Sequence, residues 1–121
     1  MSIISKVLLT LVSLLFFYIM YLETFQTTSK KTSQVFNISQ NDLSQPALNT
    51  LFKNQGIYNG LIGLVLLYST FISKNGIELS YVMLLYILGV ATYGAMTSNK
   101  SILIKQGGLP ILALISLILF H

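Results

Sequence analysis

Apolar and polar positions fall in long blocks along this chain. Val7 to Leu22 is an apolar run bounded by Lys6 and Glu23. A membrane-spanning helix needs ~20 residues, and positions 3–24 supply them. Positions 25–53 are polar. Three more apolar runs follow, at about 54–73, 79–97 and 102–120. Only Lys74-Asn75-Gly76 and Ser98-Asn99-Lys100 separate them. Connections this short force antiparallel neighbours. The pattern predicts an all-α integral membrane protein, one domain over 1–121, folded as a four-helix up-and-down transmembrane bundle. A secretory signal peptide is the competing reading of the first run, but no small-x-small cleavage site follows it.

The polar stretch carries Thr27, Thr28, Ser29, Thr32, Ser33, Ser39 and Ser44, with Lys30 and Lys31 adjacent. It is too polar to span and reads as a loop. Within it, Ser44-Gln45-Pro46 has the form of a helix start. Ala47, Leu48, Leu51 and Phe52 then recur at helical spacing. They predict a short surface helix near 46–53, or an extension of the second span.

The second span opens on Asn54-Gln55-Gly56-Ile57-Tyr58-Asn59-Gly60. At about 100° per residue, Asn54, Gln55, Tyr58 and Asn59 share one arc of roughly 140°. Gly56, Gly60 and Gly63 occupy the next arc, and small residues at such spacings let helix backbones approach closely. Ile57, Leu61, Leu64 and Tyr68 fill the third. One helix thus carries a polar face, a close-packing face and a lipid face. In the fourth run, Gly107-Gly108 and Pro110 interrupt the first turns, a break that neighbouring helices can accommodate.

Composition narrows the picture. Of 121 residues, 54% are hydrophobic and 8% charged, far below the charge of a soluble domain. All seven basic residues are lysines, at positions 6, 30, 31, 53, 74, 100 and 105. Lysine lacks the planar fork that reads bases and phosphates, so the net charge of +4 reads as topology and not as nucleic-acid binding. Five lysines flank the first and third loops and two flank the opposite ends. This places those loops in the cytoplasm, both termini outside, and the protein in the cell membrane as a multi-pass chain. There is no Cys and only the terminal His121, so no metal site and no cofactor is expected.

The up-and-down order sends the candidate site residues to one end: Glu23 from the first helix, Asn54, Gln55, Tyr58 and Asn59 from the second, Tyr93 from the third, Gln106 from the fourth. Tyr86, Tyr93 and Thr97 share a face of the third helix, and Gln106, Pro110 and Ala113 a face of the fourth. Polar groups at membrane depth are costly unless paired, which makes such a layer a functional-site hypothesis. The plainer alternative is glue, since carboxamides also tie helices together in lipid. Asn59 lies deepest and borders the glycine arc. It is expected to bond Glu23, Tyr93 or Gln106, directly or through water. Glu23 and Tyr58 are the candidate catalytic groups, for proton transfer on an apolar substrate.

These residues carry a resemblance. The run Asn54 to Gly60, with Glu23 before it and Tyr93-Gly94-Ala95 and Gln106-Gly107-Gly108-Leu109-Pro110 after it, resembles the small membrane proteins catalogued as domain of unknown function 1304. The resemblance covers nearly the whole chain and implies a four-helix membrane protein, with no reaction attached. Members commonly carry Trp after the first-helix Glu, where this chain has Phe25.

Three functions compete. The first is a membrane-embedded site, near the cytoplasmic interface, that binds or transforms a lipid or other small, largely apolar molecule. The second is a small proton-coupled transporter, disfavoured because Glu23 lies near one end of its span and not at mid-membrane. The third is a structural or assembly subunit.

Overall fold

The computed structural model describes residues 1–98 and 100–121, without the side chain of Ile102. The described residues are helical, with no strand. The elements are α1 (Ile3–Met20), a π-helical turn (Tyr21–Phe25), α2 (Lys30–Phe36), α3 (Gln40–Leu43), α4 (Pro46–Phe71), α5 (Gly76–Thr97) and α6 (Ser101–Leu119).

Among the described residues, two helices are long and apolar enough to cross a membrane: Ile3–Phe25, which includes the π-turn, and Gly76–Thr97. Only 33% and 22% of their most apolar stretches is buried, so most of that surface faces outward. The core helix of a soluble protein would hide it. These two helices suggest membrane association. Of the four crossings expected from the sequence, two are matched among the described residues. Asn54, Gln55 and Asn59 at one end and Ser69 and Thr70 at the other dilute the apolar character of α4. Among the described residues of α6 the apolar stretch is Leu103–Leu119.

The polar stretch expected as a loop holds two short helices. Ser29 begins α2 by accepting a hydrogen bond from the Thr32 N–H (3.2 Å), and Ser39 begins α3 by accepting one from Asp42 N–H (3.1 Å). Asn37 ends α2 in the left-handed conformation, φ 56°, which Asn tolerates. Pro46 then starts α4, which runs unbroken for 26 residues. The helix expected near 46–53 is the beginning of this one element. At 1.5 Å per residue it measures about 39 Å, longer than a ~30 Å hydrocarbon core.

The chain divides into two compact units, Met1–Leu15 with Leu64–His121, and Phe16–Gly63. In the first, Leu9, Val12, Leu66, Leu84, Ile87, Ala91, Ala113 and Leu117 are buried. Serines join its helices: Ser5 on α1 meets Ser116 on α6, and Ser69 on α4 meets Ser80 on α5, both with oxygens 2.9 Å apart. Small hydroxyl residues allow close helix approach while keeping their polar atoms paired. At the α4–α5 turn a Cβ on Gly76 would collide with the Ser69 carbonyl oxygen, so only glycine fits.

In the second unit, Phe16, Ile19, Leu22 and Leu43 form the apolar core. Phe36 on α2 packs edge-on against Phe52 on α4, with ring centroids 5.3 Å apart. This unit holds the candidate site.

Candidate functional site

The site begins where α1 ends. The last four carbonyls of a helix lack intrahelical donors. Here α1 loosens into the π-turn, where the Gln26 N–H donates to the Tyr21 carbonyl at 3.0 Å, five residues back. Hydroxyls from the following segment then satisfy the free carbonyls. Thr27 Oγ1 donates to the Glu23 carbonyl at 2.7 Å. The buried Thr32 Oγ1 lies 2.6 Å from the Gln26 carbonyl and 3.1 Å from that of Leu22. The threonine-rich composition after Glu23 is therefore the cap of the first helix.

The π-turn sets the direction of Glu23. A turn with one extra residue rotates the side chains that follow it, and such turns recur at functional sites. Glu23 is only 7% exposed. A carboxylate at that burial needs a partner. Asn59 Nδ2 donates to Glu23 Oε1 at 2.6 Å.

Two glycines on α4 make that reach possible. A Cβ on Gly56 would collide with Thr24 Oγ1, and one on Gly60 with Met20 Sδ. Both glycines are buried. The end of α1 and the start of α4 therefore run antiparallel in direct backbone-to-side-chain contact. Thr24 Oγ1 fixes the register by donating to the Lys53 carbonyl at 2.9 Å.

The pair is joined but not saturated. Among the described residues, Glu23 Oε2 and Asn59 Oδ1 have no hydrogen-bond partner, and neither is sealed from its surroundings. A polar cleft of about 250 Å³ in the same unit opens between Thr24–Ser29 and the α4 residues Asn49 and Lys53, and neither Glu23 nor Asn59 lines it.

The other sequence candidates are placed differently. Asn54 and Gln55 are exposed, and Tyr58 is 62% exposed. They share the polar arc with Asn59, but that arc is too wide for one contact, and only its edge beside the glycines turns toward α1. Tyr93 and Gln106 belong to the other unit. Tyr93 is 68% exposed, because α5 buries Ser80, Leu84, Ile87 and Ala91 and turns the Tyr86–Tyr93–Thr97 face outward. Gln106 is half-buried on α6. Thr24, Thr27 and Thr32 were not among the sequence candidates. The one signal for them is the density of hydroxyl residues directly after the helix end. No group of residues able to hold a metal occurs among the described residues.

Comparison with known proteins adds family but not chemistry. The family described as protein of unknown function (DUF1304) matches residues 10–118. The uncharacterized protein YpaA of Lactococcus lactis subsp. lactis is 58% identical over 116 residues, covering 96% of this chain and 98% of that protein. No solved structure matches.

Proposed function

The chain belongs to the family of proteins of unknown function DUF1304, and from that premise we propose that it is a multi-pass protein of the cell membrane whose Glu23–Asn59 pair binds, and in the stronger form transforms, a small, largely apolar molecule carrying one polar group. The observation that carries this reading is the unsaturated pair: a buried carboxylate bonded at 2.6 Å to an amide, with Glu23 Oε2 and Asn59 Oδ1 still open. One open carboxylate oxygen and one open amide oxygen suit a ligand that donates hydrogen bonds, such as a hydroxyl or amide on an apolar body. Tyr58, Asn54 and Gln55 lie along the same helix at the entrance side. In the stronger form Glu23 takes the ligand's proton and Tyr58 stands ready to return one.

In this proposal α4 from Asn54 onward and α6 also cross the bilayer, giving four crossings in up-and-down order. The lysine count sets the segment holding α2 and α3 on the cytoplasmic side. Lipid is the surrounding partner, and nucleic acid is not one.

A specific observation favours a second reading. Thr24 donates to a carbonyl of α4, and Gly56 and Gly60 seat the end of α1 against it. The Glu23–Asn59 bond could belong to this same fastening, and the protein would then be a structural subunit. Mass spectrometry of small molecules that copurify with the folded protein separates the two. The binding reading expects an apolar, hydrogen-bond-donating molecule with the natural chain and its loss from folded Asn59→Leu and Glu23→Gln. Identical profiles in all three, or unfolding of every variant at this pair, favour the structural subunit. Proton flux in proteoliposomes abolished by Glu23→Gln would favour the transporter.

A further inference from the structure

The unit formed by Met1–Leu15 and Leu64–His121 carries a second polar feature, which shares no residue with the Glu23–Asn59 pair. A cleft of about 620 Å³ opens where α4 gives way to α5. Lys6 from α1 and Lys74 from the turn line it, opposite Glu78 in the first turn of α5. Neither lysine has an ion-pair or hydrogen-bonded side-chain partner among the described residues. Ser69 and Thr70 also border the cleft, but their hydroxyls donate to the Leu66 carbonyl, at 2.8 and 2.6 Å. The two lysine ammonium groups are thus its open cationic side chains, and Met1 borders the cleft beside them. Asn75 gives α5 no side-chain cap, so the first-turn N–H groups beside the cleft are not claimed by it either.

A second groove continues from the first. Ile3, Val7 and Leu11, four residues apart on α1, form one stripe, with Phe71 of α4 as the facing wall. Its volume is about 280 Å³. Lys6 and Phe71 line both cavities. The one hydroxyl in the groove, on Thr10, donates to the Lys6 carbonyl at 2.7 Å and leaves the groove apolar. A cationic cleft therefore runs directly into an apolar channel of about 12 Å along α1.

We infer that this joined surface binds an anionic phospholipid of the phosphatidylglycerol type. The phosphodiester lies between the Lys6 and Lys74 ammonium groups, and one acyl chain lies along Ile3, Val7, Leu11 and Phe71. The charges select the headgroup. The Lys6 and Lys74 ammonium groups outnumber the single Glu78 carboxylate, and Met1 also borders the cleft, so it is net positive and attracts a phosphodiester. The same carboxylate accepts hydrogen bonds from a glycerol headgroup and repels a second phosphate charge. A zwitterionic choline lipid brings a cation to the lysines and no donor to Glu78. Lysine stems suit the position, since they bury their methylenes against apolar surface and keep the charge at the headgroup level.

The test is native mass spectrometry of the full chain released from detergent micelles doped with either phosphatidylglycerol or phosphatidylcholine. The expected result is one retained phosphatidylglycerol, favoured at least tenfold over phosphatidylcholine. Anionic-lipid attraction changes affinity about fivefold per lysine, so Lys6→Gln with Lys74→Gln should weaken retention roughly 25-fold. Lys30→Gln with Lys31→Gln should leave it unchanged. Phe71→Ala should weaken it without erasing the preference for the anionic lipid. Both cleft lysines are exposed, and the two-lipid comparison needs no variant at all. Equal retention of the two lipids overturns the inference. So does unchanged retention after loss of both lysines, or displacement of the lipid by glycerol phosphate or inorganic phosphate at equal concentration, which would make the cleft a site for free anions.

Discussion

Glu23 and Asn59, 36 positions apart in the sequence, are held together by one hydrogen bond of 2.6 Å. Neither residue's own helix dictates this. The π-turn aims Glu23, and the glycines at 56 and 60 bring α4 close enough for Asn59 to reach it. The pair therefore reports on three local features at once.

Removing one partner should cost more than removing both. Asn59→Leu leaves a buried carboxylate without its amide, at about 1–3 kcal/mol. Glu23→Gln keeps a hydrogen-bonding group in place and should cost less. Interhelical hydrogen bonds in membranes average ~0.6 kcal/mol. A coupling above that, from a double-mutant cycle of Glu23→Leu and Asn59→Leu in a reversible unfolding assay, is the expected outcome. A coupling near zero would show that the bond is incidental to the fold.

The glycines should respond according to what surrounds them. Gly56→Ala gains about 1 kcal/mol of helix propensity but forces a collision with Thr24 Oγ1, and overpacking costs typically 1–3 kcal/mol. The expected net effect is destabilisation and a longer Glu23–Asn59 distance. Gly60→Ala should be milder, because Met20 Sδ sits near the end of a flexible side chain that can move aside. Gly89→Ala meets nothing within 4 Å and should stabilise α5 by roughly 0.5–1 kcal/mol. Thermal unfolding of the three variants in one detergent checks the order Gly89→Ala, Gly60→Ala, Gly56→Ala from most to least stable.

Much of this arrangement could be read from the sequence. Pro46 begins a helix as its position predicts. The arc of Ile57, Leu61, Leu64 and Tyr68 is exposed along its whole length, and Gly56 and Gly60 of the glycine arc face Thr24 and Met20 at the end of the first helix. The hydrogen bond expected from Asn59 is made, to Glu23. Other features were not readable. A π-turn differs from an α-turn by one residue of backbone slack, and the stretch Tyr21–Phe25 has no composition that demands it. The slack is held open by Thr27 and Thr32, whose role depends on α2 folding back beneath the helix end. A wheel drawn for one helix gives the angular spread of Asn54, Gln55, Tyr58 and Asn59 but not the width of the neighbour they meet. That width admitted only Asn59. The expectation of a polar loop failed for a related reason: Ser29 and Ser39 were counted as loop polarity, yet each starts a helix.

Thr32 offers the sharpest test of how the site is held. It is fully buried, and its hydroxyl serves carbonyls at both ends of the π-turn, Leu22 and Gln26. Its methyl group fits the same space as that of valine, so Thr32→Val removes the hydroxyl while nearly preserving shape. The Gln26 carbonyl keeps the Ser29 N–H at 3.1 Å, so the substitution leaves the Leu22 carbonyl without this donor, at about 1–3 kcal/mol for a buried unsatisfied group. The effect should be local first. Hydrogen exchange at the amides of Leu22 to Gln26 should accelerate while α5 and α6 keep their protection, and the Glu23–Asn59 coupling should fall with it. Thr32→Ser retains the hydroxyl and should restore slow exchange, at the smaller cost of one lost methyl. Equal protection in natural, valine and serine chains would mean that the π-turn stands without Thr32 and that Glu23 owes its direction to the packing of Phe16, Ile19 and Leu22 alone.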